Sequence, residues 1–189
     1  LFVILFCNSE VIVMDVIVAT GNKGKLKEFK KMLSGYFDNI YSVKDFGLDA
    51  DVEETGSTFE ENVLIKANYV KAKTDLAVIA DDSGLEVDAL GGAPGLYSAR
   101  YAGENTSYDI KNQNLIDRLA GDPDEKRTAR CVCAISSALP EGTSEVVRGT
   151  MESIIGYKIA GENGFGYDPI FFLPECGCTS AEISSEKKN

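Results

Sequence analysis

Residues 76–80 form a short apolar run that ends in Asp81-Asp82-Ser83-Gly84, with a glycine-rich stretch at 90–101 close behind. A continuous apolar run bounded by turn formers reads as a strand buried on both faces, the kind found in parallel sheets. Open α/β sheets place their ligand sites just beyond the carboxyl ends of such strands. Two adjacent carboxylates repel, and leaving both ionised is costly unless solvent, hydrogen bonds or a cation compensates. The run therefore reads as a metal or acid–base site at a strand end. By residue type alone it is also an ordinary turn, since Asp, Ser and Gly are common turn formers.

The rest of the chain supplies the other elements of an α/β fold. Residues 16–19 are an apolar, β-branched run, and Thr20-Gly21-Asn22 follows as a turn with a good N-cap. A helix is expected over 23–34, with Leu26, Phe29 and Leu33 at helical spacing and Lys23, Lys25 and Lys27 near the mouth of the turn. Residues 40–43 read as a second strand. Ser57 and Glu60 have capping-box spacing, which starts a helix expected to reach about Thr74. Its buried stripe is Phe59, Val63, Ala67 and Val70, with Asn62, Lys66 and Tyr69 on another face. A further helix is expected over 107–119. Residues 128–138 and 144–155 read as an antiparallel pair turned at Pro140-Glu141-Gly142. A short strand over 170–173 and a helix from Thr179 complete the pattern.

At 189 residues the chain has the length of one domain. Its net charge of −11 gives a field that repels nucleic acid and anionic membrane, so neither is an expected partner. A polyanionic ligand needs locally gathered lysines or a divalent cation. The sequence has no histidine, which excludes imidazole bases, Ser-His-Asp triads and His-based zinc sites. Its five cysteines, an odd number without a secretion signal, suggest reduced thiols in the cytoplasm. Cys131 and Cys133 share one strand face and read as small core residues, their spacing being shorter than zinc pairs usually show. Residues 1–13 are apolar but too short to span a membrane, lack a basic flank and include Glu10. They are expected to be an upstream extension, with a single domain over 14–189 starting at Met14.

Several segments carry chemistry. Thr20, Gly21, Asn22, Lys23, Gly24 and Lys25 offer a helix N-terminus and two ammonium groups, an anion site with neither the spacing of a Walker loop nor that of a dinucleotide turn. Glu54 and Asp82 suit a shared Mg²⁺, a hard ion that prefers carboxylate and phosphate oxygens. Lys66 is in reach of a phosphate, although helix periodicity alone makes it a solvated face. Phe165, Gly166, Tyr167 and Asp168 form a glycine-flanked loop whose aromatic rings either stack on a base or close a core.

In order, the segments Ala19-Thr20-Gly21-Asn22, Gly24-Lys25, Glu53-Glu54-Thr55-Gly56, Thr58-Phe59, Glu61-Asn62, Asp81-Asp82-Ser83-Gly84, Gly91-Gly92, Pro94-Gly95, Tyr97-Ser98-Ala99-Arg100-Tyr101 and Phe165 to Phe171 resemble the inosine/xanthosine triphosphate pyrophosphatases. The resemblance runs from about Met14 to Asn189. It implies a long, curved mixed sheet with flanking helices and two lobes around a cleft. It further implies Mg²⁺-dependent hydrolysis of ITP, dITP and XTP to monophosphate and pyrophosphate by a cytoplasmic homodimer. By position, Asp82 is then general base and metal ligand, and Glu54 the second metal carboxylate, with adjacent Glu53 the alternative. Ser83 is a substrate contact, residues 20–25 and Lys66 hold the triphosphate, Phe165 to Asp168 the nucleoside, and Lys188 is a late substrate contact. The family continues into a Ser-His-Arg segment beyond Asn189, so the C-terminus is expected to be truncated. Two other readings stand beside it: a nucleotide-binding protein without turnover on the same scaffold, and a related pyrophosphatase of different base specificity, such as a Maf-like enzyme, which the motif set fits poorly.

Overall fold

One mixed sheet of seven strands organises the computed structural model, which describes residues 14–48 and 52–184. β1 (Asp15–Ala19) lies between β2 (Asn39–Ser42) and β3 (Ala77–Val87), all parallel. Beyond β3 the sheet becomes antiparallel through β4 (Thr128–Ala138), β5 (Ser144–Ile155), β6 (Phe171–Leu173) and β7 (Cys178–Thr179). The central hairpin has the limits its sequence predicts. The segment from Thr179 forms only a 3₁₀ turn at Ser180–Glu182 within the described residues, not the start of an α-helix.

Three helices cover the sheet. α1 (Lys23–Leu33) is capped by Asn22, whose side chain accepts from the amides of Gly24 and Lys25. α2 (Phe59–Lys71) is capped by Thr58, which accepts from the Glu61 amide, while Glu61 reaches back to the amide and hydroxyl of Ser57. The cap is thus one residue later than the Ser57–Glu60 spacing predicts. Two overlapping capping patterns exist there, and Thr58 starts the helix so that Phe59 enters the core. The helix also ends at Lys71, short of Thr74. α3 (Tyr108–Arg118) starts from Ser107.

Alternation along β3 assigns these helices to faces. Ala77 and Ile79 pack with Phe29 and Leu33 of α1, whereas Val78 and Ala80 pack with Phe59, Val63, Ala67 and Val70 of α2. The register with β4 is unbroken from Val78 to Val87. Leu85 and Val87 therefore return to the face of Ala77, where they meet Leu115, Ile116 and Leu119 at α3. One face carries α1 and the α3 body with a gap between them; the other carries α2.

Cys131 and Cys133 do share a face, but both are only partly buried, Cys178 likewise, and Cys176 is exposed. Cys131 packs against the cluster of Leu85, Leu115 and Ile155, as expected of a small core residue, and Cys133 lies near Asp81 and Lys25. Cys7 lies outside the described residues. Among the described residues no group of three or more acidic or thiol side chains is placed to hold a metal, and no helix is long and apolar enough to cross a membrane.

The α3 body is closed by a buried guanidinium. Arg127 donates to the carbonyls of Leu119, Ile155 and Gly156, each at 2.7 Å, and lies over the Tyr157 ring. Removing one partner of a buried polar set strands the others, at about 1–3 kcal/mol per group. Arg127→Met strands three carbonyls, so the loss in unfolding free energy is expected to be about 3 kcal/mol or more, read as a lower urea midpoint at unchanged m-value.

Candidate active site

β1 stops opposite Ala80, while β3 runs on for seven more residues. From Asp81 onward the β1 side of β3 has no strand neighbour. Farther along, the segment 93–98 takes over that edge: the Val87 amide donates to the Ala93 carbonyl and the Leu85 amide to Ser98 Oγ. Between these two neighbours the edge of β3 at Asp81 to Ser83 has no strand partner. The expected turn at Asp81-Asp82-Ser83-Gly84 is instead the middle of a strand. Asp is a poor strand former by propensity; here partners from two helices override that preference.

Asp81 and Asp82 point to opposite faces, as neighbours in a strand must. Asp82 joins the α2 side, where Lys66 Nζ donates to both Asp82 Oδ1 and Glu54 Oε1 at 3.1 Å. Lys66 is therefore no solvated lysine; its ammonium sits between two carboxylates. Arg100 lies farther out, 3.9 Å from the other Glu54 oxygen and over the Tyr97 ring. Glu53 is exposed, so Glu54 is the one of the pair that reaches this cluster. On the other face Asp81 pairs with Lys25 of α1 at 2.7 Å.

Burial pushes the Asp82 carboxyl above the usual carboxylate range; the Lys66 ammonium opposes the rise and the Glu54 charge adds to it. For Lys25, burial works against the charge, but Asp81, with Asp82 behind it, outweighs burial and holds the ammonium pKa above its ordinary value. Cys133, opposite Ser83 in the register, is pushed up to about 11, first by burial and then by Asp81. One electrostatic centre thus spans both faces of β3.

The expected anion turn and nucleoside loop also meet. A Cβ built on Gly24 would lie 3.0 Å from the Phe165 ring, so the loop rests on the first turn of α1. Phe165 is partly buried, whereas Tyr167 is core, its hydroxyl donating to the Ser98 carbonyl. Asp168 accepts from the Phe165 amide and from Ser180 Oγ, holding the loop from within. Lys188 lies outside the described residues. Roles for Asp81 and Arg100 are not apparent from motif order, although strand alternation alone puts Asp81 on the face of α1. Asn112, which donates to the Gly166 carbonyl, has no sequence signal beyond helical phase.

The donor set fits a divalent cation. Asp82 Oδ2 is buried without a hydrogen-bond partner, and a cationic nitrogen already occupies the space between Glu54 and Asp82. Two carboxylates, completed by water and phosphate oxygens, are what Mg²⁺ commonly takes from a protein.

A mixed α/β sheet whose open edge joins paired carboxylates, lysines and a helix N-terminus defines an enzyme that handles phosphates. Residues 16–189 match the Ham1 family, and the chain belongs to it. It is 50% identical to a dITP/XTP pyrophosphatase of Exiguobacterium sibiricum over 175 residues, 93% of this chain and 88% of that protein. It is 44% identical to a dITP/XTP pyrophosphatase of Bacillus subtilis, over 95% and 90% of the two chains. The Ham1 protein of Staphylococcus aureus superposes with a TM-score of 0.79 at 43% identity, covering 92% of this chain and 88% of that one. A HAM1 protein from Coxiella burnetii gives 0.82 at 36% identity, covering 94% and 90%.

Lys66 is the group that lowers the Asp82 pKa against burial and Glu54. In metal-free Lys66→Met the Asp82 carboxyl is expected to take up its proton at a higher pH than in wild type. Carboxyl ¹³C NMR titration reads this directly; an unchanged or lower midpoint would break the assigned pairing.

Proposed function

We propose that this chain hydrolyses non-standard purine nucleoside triphosphates, ITP, dITP and XTP, to the monophosphate and pyrophosphate, clearing them from the cytoplasmic nucleotide pool. The observation that carries this reading is the convergence of Glu54, Lys66 and Asp82 at the open edge of β3, next to the turn 20–25. The names borne by its relatives support the same chemistry.

The physical problem is attack of water on a polyanion. Asp82 takes the proton of the attacking water, its carboxylate held in place by the Lys66 ammonium. Glu54 and Asp82 would hold Mg²⁺, which would neutralise phosphate charge and orient oxygen ligands. Lys66 and Lys25 add positive charge on either side of β3, and the N-terminal end of α1 adds the positive end of its dipole toward the departing pyrophosphate. The helix start is fixed by the Asn22 cap and Lys25 by Asp81 before substrate arrives, so little reorganisation is needed. Ser83 contributes a hydroxyl in the same row.

The loop from Phe165 to Asp168 receives the nucleoside. Phe165 gives a face for stacking, while Gly166, Tyr167 and Asp168 shape the backbone around it. A site that donates to the 6-keto group of hypoxanthine or xanthine meets an amino group in adenine, and such polar mismatches discriminate strongly. Lys188 is assigned a late contact with the substrate, and the working unit is a homodimer.

Pyrophosphate release from ITP in the presence of Mg²⁺, far exceeding release from ATP and abolished by chelation, is the expected result. Binding of ITP without release would favour the non-catalytic reading. Asp82→Asn is expected to lower kcat by about 10²–10⁴-fold while ITP binding stays measurable by calorimetry. An active Asn variant would remove Asp82 from the role of base.

A further inference from the structure

α3 presents two consecutive side chains, Lys111 and Asn112, each only 1% exposed, and neither belongs to the residues assigned above. Lys111 Nζ donates to the Ala99 carbonyl at 2.6 Å, and its ammonium lies 4.8 Å from the Tyr108 ring centroid. Asn112 Nδ2 donates to the Gly166 carbonyl at 3.1 Å, across 54 residues of sequence. Between these anchors, the Tyr167 hydroxyl donates to the Ser98 carbonyl at 2.8 Å, and the Tyr167 ring meets Tyr108 edge to face at 5.3 Å. Two neighbouring residues of one helix thus hold the segment Gly95–Arg100 and the loop 164–168 at a set separation.

Packing alone is a weak account of Asn112. Its Oδ1 is buried with no hydrogen-bond partner, and a half-satisfied buried amide costs stability that an apolar side chain of similar size would not. What the amide does achieve is a bond to the carbonyl of Gly166, a residue at φ +69°, where the chain turns between Phe165 and Tyr167. Phe165 in turn rests on Gly24, at the start of α1. The position of the loop over the anion turn is therefore set from α3 by that bond at Gly166 together with the Tyr108–Tyr167 contact.

We propose that Asn112 is a positioning residue for substrate selection: through Gly166 it fixes the gap between the Phe165 loop and the turn 20–25, and so the distance from nucleoside to triphosphate. This rests on the function proposed above. Asn112 does not touch the phosphates, and its effect is confined to ligands that carry a nucleoside.

Pyrophosphate, which lacks a nucleoside, separates this role from a purely structural one. In Asn112→Ala, KM for ITP is expected to rise by about tenfold, with kcat and the inhibition constant of pyrophosphate both within about twofold of wild type. An unchanged KM, or a parallel weakening of pyrophosphate inhibition, would overturn the proposal. Should Asn112→Ala fail to fold by thermal melting, Asn112→Asp keeps the size, replaces the donating amide with an acceptor and is read the same way. Failure of both to fold would assign Asn112 to the core alone. Calorimetric binding of inosine monophosphate and of pyrophosphate repeats the comparison without turnover. A wild-type protein that releases no pyrophosphate from ITP would thus sink the proposed function and leave this measurement intact; no selective loss of monophosphate affinity in the variant would sink the positioning role.

Discussion

The long strand β3 continues past the end of its parallel neighbour β1, and nearly everything functional follows from that mismatch. A backbone edge left unpaired in the middle of a sheet must find other partners or water. Here the segment 93–98 closes the far part of the edge, from Gly84 onward, and leaves Asp81 to Ser83 without a strand partner. Gly84 makes this possible, since a Cβ there would stand 2.4 Å from the Gly95 carbonyl oxygen. The opening coincides with the place where parallel pairing gives way to antiparallel, so ligand access comes with the topology.

Charge is arranged around that opening with economy. Each buried carboxylate of β3 has a lysine from a different helix, Asp81 from α1 and Asp82 from α2. Such pairs contribute little net stability once desolvation is counted, but losing one partner is costly. Their more consequential effect is geometric: both helices are tied to adjacent residues of one strand. In a chain of net charge −11, Lys25, Lys66 and Arg100 here offset Asp81, Asp82 and Glu54 one for one, which spares the site the general negative field.

Much of this is legible in the sequence, for reasons that differ by element. The central hairpin has two long strand-forming runs and a Pro-Glu-Gly turn, so its limits agree with expectation. The stripe of α2 is equally plain. The strand through Asp81 and Asp82 is not, because its carboxylates are compatible with a strand only through Lys25 and Lys66, which are remote in sequence. Lys66 looks solvated by helical periodicity for the same reason: its partner Glu54 belongs to the extended stretch before the cap. Motif order suggests which residues belong together, while the split of Asp81 and Asp82 between faces follows from strand alternation once the strand is known to continue. The Asn112 bond to Gly166 depends on the docking of α3 and leaves no local trace.

The guanidinium of Arg127 gathers the carbonyl at the end of α3, that of the last residue of β5 and that of the glycine after it. A body pinned in this way cannot peel its helix from the sheet without exposing a buried cation's empty cage. Helix and hairpin end thus share one polar lock, and the two come apart together or not at all.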